Sequence, residues 1–263
     1  MISPKLMQFI PQDGLVLIIG RRGSGKSVLA YGLLEALHRK RQTYVYNFPK
    51  PDLLPSYIKV INTLDFPEDS IVLIDEAYMN FPARKAMAWS NRFIDSLNGL
   101  ARQKNLLIFY VSQETSRVDL NIIRGIDVLF IKALSVNQVR FERKELRSYL
   151  QRIKDLIDKL NNEDLIKRST YVSCDLIGKR FEGLIINSNT PPSFWSEELS
   201  KAWRDVSLID DKKDETLNLN SLTCLTISNI LGKIAKNCKD KKLKTDLMNA
   251  SAKYAKRVKF FQA

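Results

Sequence analysis

Gly20, Gly25, Lys26 and Ser27, spaced Gly-x4-Gly-Lys-Ser in the run GRRGSGKS, are the residues here best suited to hold phosphate. Glycine at 20, 23 and 25 lets backbone N–H groups turn inward around an anion without a Cβ in the way. Arg21, Arg22 and Ser24 complete the turn. Lys26 brings an ammonium to the outer phosphates, and the Ser27 hydroxyl suits Mg²⁺. An apolar run, LVLII, precedes the turn and a helical pattern follows it. A helix N-terminus therefore adds its positive potential at the same point.

A second group of residues completes a hydrolytic site. In IVLIDEAY, Asp75 ends an apolar strand, where a carboxylate holds Mg²⁺ through its water shell, and Glu76 follows it as the base that polarises an attacking water. Gln113 ends the run NLLIFYVSQ, where an amide senses the γ-phosphate. Arg102, just before that run, is placed to reach a phosphate across a subunit boundary, since its planar fork stabilises transition-state charge. Arg84, Arg92, Arg117 and Arg124 are rivals for that role. A base-reading Asn-Lys-x-Asp motif is missing, which argues against a GTP switch, and a water-activating Glu76 is superfluous in a small-molecule kinase. ATP hydrolysis coupled to work, with Mg²⁺, is the better fit.

Such residues need rigid strand ends beneath them. Five short apolar runs predict buried strands: 15–19, 43–48, 71–75, 105–112 and 126–133. Helical patterns alternate with them over 26–41, through Leu29, Leu33, Leu34 and Leu37, and over 83–103. Strands apolar on both faces, alternating with helices, predict a parallel sheet covered on both sides. Beyond residue 135 the pattern changes. Residues 143–160 predict a charged amphipathic helix, TYVSCDLIGKRFEGLIIN a hairpin turning near Gly178, and PPSFWSEELS a helix capped by Ser193 or Ser196. Residues 1–206 are expected to form the ATPase domain, the polar run 207–220 a linker, and 221–263 a small helical appendage.

The net charge is +13, which favours an acidic partner, nucleic acid before membrane. Ten lysines and arginines against Asp240 and Asp246 lie between residues 231 and 263, a surplus of eight in the tail alone. Cys174, Cys224 and Cys238 stand far apart and His38 is the single histidine, so neither a zinc site nor a disulfide framework is expected. With no signal-peptide pattern and no apolar run near the ~20 residues of a membrane helix, a cytoplasmic protein is expected.

With these motifs in place, the stretch from Gly20 to about Lys132 resembles the HerA–FtsK superfamily of DNA-pumping ATPases, in particular compact viral genome-packaging ATPases and Zot-like phage assembly ATPases. GSGKS, VLIDEAY and ARQKNLLIFYVSQETSRVDLNIIRG carry the resemblance. It implies an α/β, RecA-like (ASCE) P-loop NTPase sheet with an extra strand inserted between the Walker A and Walker B strands. It also implies a homo-oligomeric ring, commonly hexameric, that moves double-stranded DNA, with a viral capsid or portal-type partner and the host cytoplasm as its setting. With the P-loop beginning within 20 residues of Met1, the N-terminal β-barrel of cellular HerA proteins is not expected, which favours a viral or plasmid motor. Two other readings stay open: a phage export ATPase that does not act on DNA, and a terminase-like motor whose nuclease carboxylates would be Asp175, Glu182, Glu197 and Glu198.

Overall fold

The computed structural model describes residues 2–63, 65–75, 99, 101–112, 126–188, 190–202, 245–246 and 248–252. The chain divides into two compact units, residues 1–208 and 209–263. The described residues of the second unit are helical. Glu76, Gln113, Arg84, Arg92, Arg117, Arg124, the 207–220 linker and most of the 83–103 helix and of the tail lie outside the described residues.

The first unit is built on one eight-stranded sheet. Its strands are β1 (Gly14–Ile19), β2 (Thr43–Tyr46), β3 (Ile58–Ile61), β4 (Ile71–Asp75), β5 (Leu107–Ser112), β6 (Val128–Ile131), β7 (Ser169–Leu176) and β8 (Lys179–Ile186). Their spatial order is β3-β2-β4-β5-β1-β6-β7-β8. The first six pair in parallel, and β7 and β8 join antiparallel to β6 and to each other. Thus β5 lies between β1, which leads into the P-loop, and β4, which ends at Asp75. This is the inserted strand that the resemblance implies. The chain has the fold of a RecA-like P-loop NTPase.

Every residue of β1, β4 and β5 is buried, because both faces of the sheet are covered. Strand alternation splits the core into two layers. Val16, Ile18, Phe109 and Val111 face one layer, shared with Leu29, Leu33 and Leu34 of α2 (Lys26–Leu37). Leu15, Leu17, Ile19, Ile108 and Tyr110 face the other. After α1 (Pro4–Met7) and α2, the described helices are α3 (Val136–Arg140), α4 (Lys144–Asp158), α5 (Glu163–Arg168) and α6 (Glu197–Ser200). Of these, α4 covers the second layer with Leu150, Ile153 and Ile157, spaced at helical period along one face. Burying each such side chain contributes about 1.5–3 kcal/mol.

Several boundaries differ from those expected. β2 stops at Tyr46 because Asn47 takes a left-handed conformation, φ 53°. The edge strand β3 has no counterpart in the sequence reading: four residues, IKVI, with a lysine inside, are too short and too polar to stand out. Ser196, and not Ser193, caps α6, which is only four residues long.

Candidate functional site

The P-loop leaves the buried end of β1 and enters α2 at Gly25, whose φ is +85°. A Cβ there would lie 2.9 Å from the Lys167 carbonyl oxygen, so both conformation and space require glycine. No side chain caps α2, and its first amides stand at the loop. Lys26 is buried; its Nζ donates to the carbonyl oxygens of Gly20 (2.8 Å) and Arg21 (3.0 Å), which places the ammonium across the loop. The loop is pinned to the neighbouring strand from below, where the Arg21 N–H donates to the Ala133 carbonyl just beyond β6. Arg21, Arg22 and Gly23 are exposed, whereas Ser24 is buried.

Asp75 arrives from β4, two strands away from β1. Its Oδ2 accepts a hydrogen bond from Ser27 Oγ at 3.3 Å, and it is only 5% exposed. The two predicted metal-holding groups therefore meet, although 48 residues separate them in sequence. The donor set suits Mg²⁺, which takes one or two carboxylate or hydroxyl oxygens and keeps its remaining waters. A second observation fits an oxyanion at the loop: Ser24 Oγ is buried with no hydrogen-bond partner among the described residues. Leaving such a group unpaired costs roughly 1–3 kcal/mol.

Sequence reading passed over Lys132, which follows β6 directly. It is 1% exposed, and its Nζ donates to the carbonyls of Lys167 and Ser169, both at 2.6 Å, and to Thr170 Oγ1 at 3.4 Å. Burial pushes its pKa down to about 7, with the charge of Lys26 adding to the effect. A lysine inside an apolar run (LFIKAL) was the signal that could have found it.

A cavity of about 920 Å³ opens over the loop. Arg22, Lys26, Lys167, Arg168 and Lys201 line it against Glu35, Asp75 and Asp164, a surplus of two positive charges to which Lys132 adds when protonated, which suits a polyanion.

Arg102 is not part of this cluster. It lies just before β5, at the sheet edge opposite the P-loop, since β1 and β5 run parallel from Gly14 and Leu107 to Ile19 and Ser112. Six residues at ~3.3 Å each put about 20 Å of sheet between it and the loop of the same chain. Its guanidinium is 3.9 Å from Asp127 Oδ2, and both side chains are largely exposed, so the pair contributes at most about 1 kcal/mol.

The carboxylates suspected of nuclease chemistry are scattered. Asp175 pairs with Arg180 at 2.6 Å, Glu182 accepts from Tyr149 at 3.1 Å, and Glu197 pairs with Lys201. Among the described residues no group of three or more His, Cys, Asp or Glu stands ready for a metal. Nor is any described helix long and apolar enough to cross a membrane.

No family model and no curated protein matches the chain. Solved structures do. The genome packaging NTPase B204 from Sulfolobus turreted icosahedral virus 2, in complex with ATP-gammaS, is 16% identical over 69% of this chain and 98% of that one, at a TM-score of 0.42. B204, the DNA-packaging ATPase from Sulfolobus turreted icosahedral virus, is 15% identical over 66% and 97%, also at 0.42. The N-terminal domain of zonular occludens toxin from Neisseria meningitidis is 15% identical over 74% and 98%, at 0.35. At these values the likeness extends no further than the general course of the chain.

Proposed function

We propose that this chain is a Mg²⁺-dependent ATP hydrolase that works as a subunit of a ring-shaped motor on double-stranded DNA, in packaging or transfer of a viral or plasmid genome. The observation that carries the hydrolase half is the meeting of Ser27 and Asp75 at 3.3 Å beside a loop that aims a buried lysine and uncapped helix amides at one point. Bound Mg²⁺ would shield the phosphate oxygens and draw charge toward the leaving group. Lys26 and the loop amides orient the triphosphate, and the Ser27 hydroxyl with the Asp75 carboxylate would hold the metal. Glu76, the residue after β4, takes the proton of the attacking water, and Gln113, the residue after β5, orients that water. The order β4-β5-β1 supports these roles, because it brings the ends of three parallel strands side by side at the loop.

The DNA half is supported by the net charge of +13 and by the basic tail. The test is the rate of ATP hydrolysis with and without duplex DNA, for the natural chain, Lys26→Ala and Glu76→Gln. Lys26→Ala should lose nucleotide binding, and Glu76→Gln should bind ATP but hydrolyse it at least 100-fold more slowly. A natural rate in Glu76→Gln refutes the base assignment. Hydrolysis indifferent to DNA refutes the DNA half and returns the chain to an assembly ATPase of the export kind.

A further inference from the structure

The cavity over the P-loop is longer than phosphates need. Ser27 and Glu35 of α2 both line it, and eight residues of helix at ~1.5 Å each span about 12 Å. Its lining also includes apolar and aromatic residues with no place in the hydrolytic chemistry: Tyr31, Pro191, Pro192, Trp195 and Leu199.

Topology explains how that wall gets there. The β7–β8 hairpin is antiparallel to β6, so β8 ends opposite Ser169, at the same edge of the sheet as the P-loop. The chain that follows is then fastened to α2. Ser193 donates its N–H to Glu35 Oε1 at 2.9 Å, and its hydroxyl donates to the same oxygen. Trp195 and Phe194 pack on Tyr31 with ring centroids 5.9 Å away in each case. Close approach is built in at Gly32, where a Cβ would lie 2.9 Å from Ile2 and 3.8 Å from Pro192. The cavity thus joins the cationic loop to an aromatic wall, Trp195 beside Tyr31 of α2.

We propose that this wall forms the nucleobase pocket, with Trp195 as the aromatic platform and the larger π-surface of purines favoured over pyrimidines. The proposal rests on the nucleotide reading given above and adds which part of the ligand the C-terminal wall recognises. An aromatic ring and proline faces offer stacking, which every base accepts and purines use best.

Isothermal titration of the full chain with ATP, CTP and inorganic tripolyphosphate, all with Mg²⁺, separates the two readings. The natural chain should bind ATP more tightly than CTP, and both more tightly than tripolyphosphate. Trp195→Leu, which keeps apolar bulk but removes the ring, should weaken ATP about 5- to 150-fold, the range of one base–aromatic stack. Tripolyphosphate affinity should stay within twofold, which also reports that the loop is intact, and Trp195→Phe should recover most of the loss. ATP affinity unchanged in Trp195→Leu overturns the proposal, and so does an equal loss for ATP and tripolyphosphate, which would make Trp195 a packing residue only. In both cases the P-loop reading survives. If neither ATP nor tripolyphosphate binds the natural chain, the nucleotide reading itself fails and the pocket with it.

Discussion

Lys132→Met is the substitution whose consequence can be worked most directly from the structure. Methionine is unbranched like lysine, one atom shorter, and fits an apolar site, so packing changes little. What is lost is the ammonium that donates to the Lys167 and Ser169 carbonyls at 2.6 Å. The contact with Ser169 is fully buried, so its carbonyl is orphaned at a cost of roughly 1–3 kcal/mol, while the part-buried Lys167 carbonyl recovers some of its loss from water. Removing a buried charge gives back part of this, leaving about 2 kcal/mol of destabilisation. For a unit of this size that lowers Tm by roughly 4–8 °C.

The pH dependence has a definite sign. With a folded pKa near 7 and an unfolded one near ~10.4, the unfolded chain binds the proton that the folded chain has released throughout that window. Stability of the natural chain from this group therefore rises with pH between about 7 and ~10.4, by at most about 1.4 kcal/mol per unit. The methionine variant lacks that rise, so its deficit should be larger at pH 8.5 than at pH 6.5. Paired thermal melts at the two pH values measure it. A Tm equal to or above the natural one refutes the argument that these hydrogen bonds outweigh the burial of the charge. A deficit that shrinks with rising pH refutes the downward pKa shift and shows that the three acceptors hold the charged form.

Two further outcomes concern Arg102 and the basic tail. Arg102→Ala should keep the fold and ATP binding, given the sheet between Arg102 and its own P-loop, while cutting hydrolysis by about 10³-fold or more if it serves a neighbour's site. Mixing inactive Arg102→Ala with inactive Glu76→Gln subunits should restore some activity; exchange without recovery removes Arg102 from the role and turns attention to Arg117 or Arg124. Deleting residues 221–263 should leave basal hydrolysis in place and weaken duplex binding, with a smaller dependence on log salt measured by fluorescence anisotropy, because fewer phosphates are then neutralised.

The part of the site that was legible in the sequence is the part that is local. Gly25, Lys26 and Ser27 form one turn, and a turn is written in neighbouring residues. Asp75 was legible for a related reason: an apolar strand that ends in a carboxylate shows both the strand and its functional end. Their meeting at 3.3 Å follows from the order of strands between them, which single-strand patterns do not encode and which entered only through the resemblance. The hairpin, too, was legible, from two alternating runs around Gly178.

What escaped is what the hairpin does. Had the chain left the sheet after β7 alone, it would have done so at the edge where Arg102 lies. Reversing twice, it returns to the loop edge instead, and Asn187 fixes the return by bonding Ser3 N at 3.1 Å and Thr170 Oγ1 at 3.3 Å. The same turn lays the Lys167 and Ser169 carbonyls against Lys132 and brings Trp195 above α2. None of these contacts has a sequence pattern, because each joins residues at least 35 positions apart or depends on which edge a strand ends at, or both. Lys132 reads from sequence as a charge spoiling a strand, and Trp195 as a residue near a short helix; only the antiparallel return makes the first a clamp beneath the P-loop and the second a wall of its cavity.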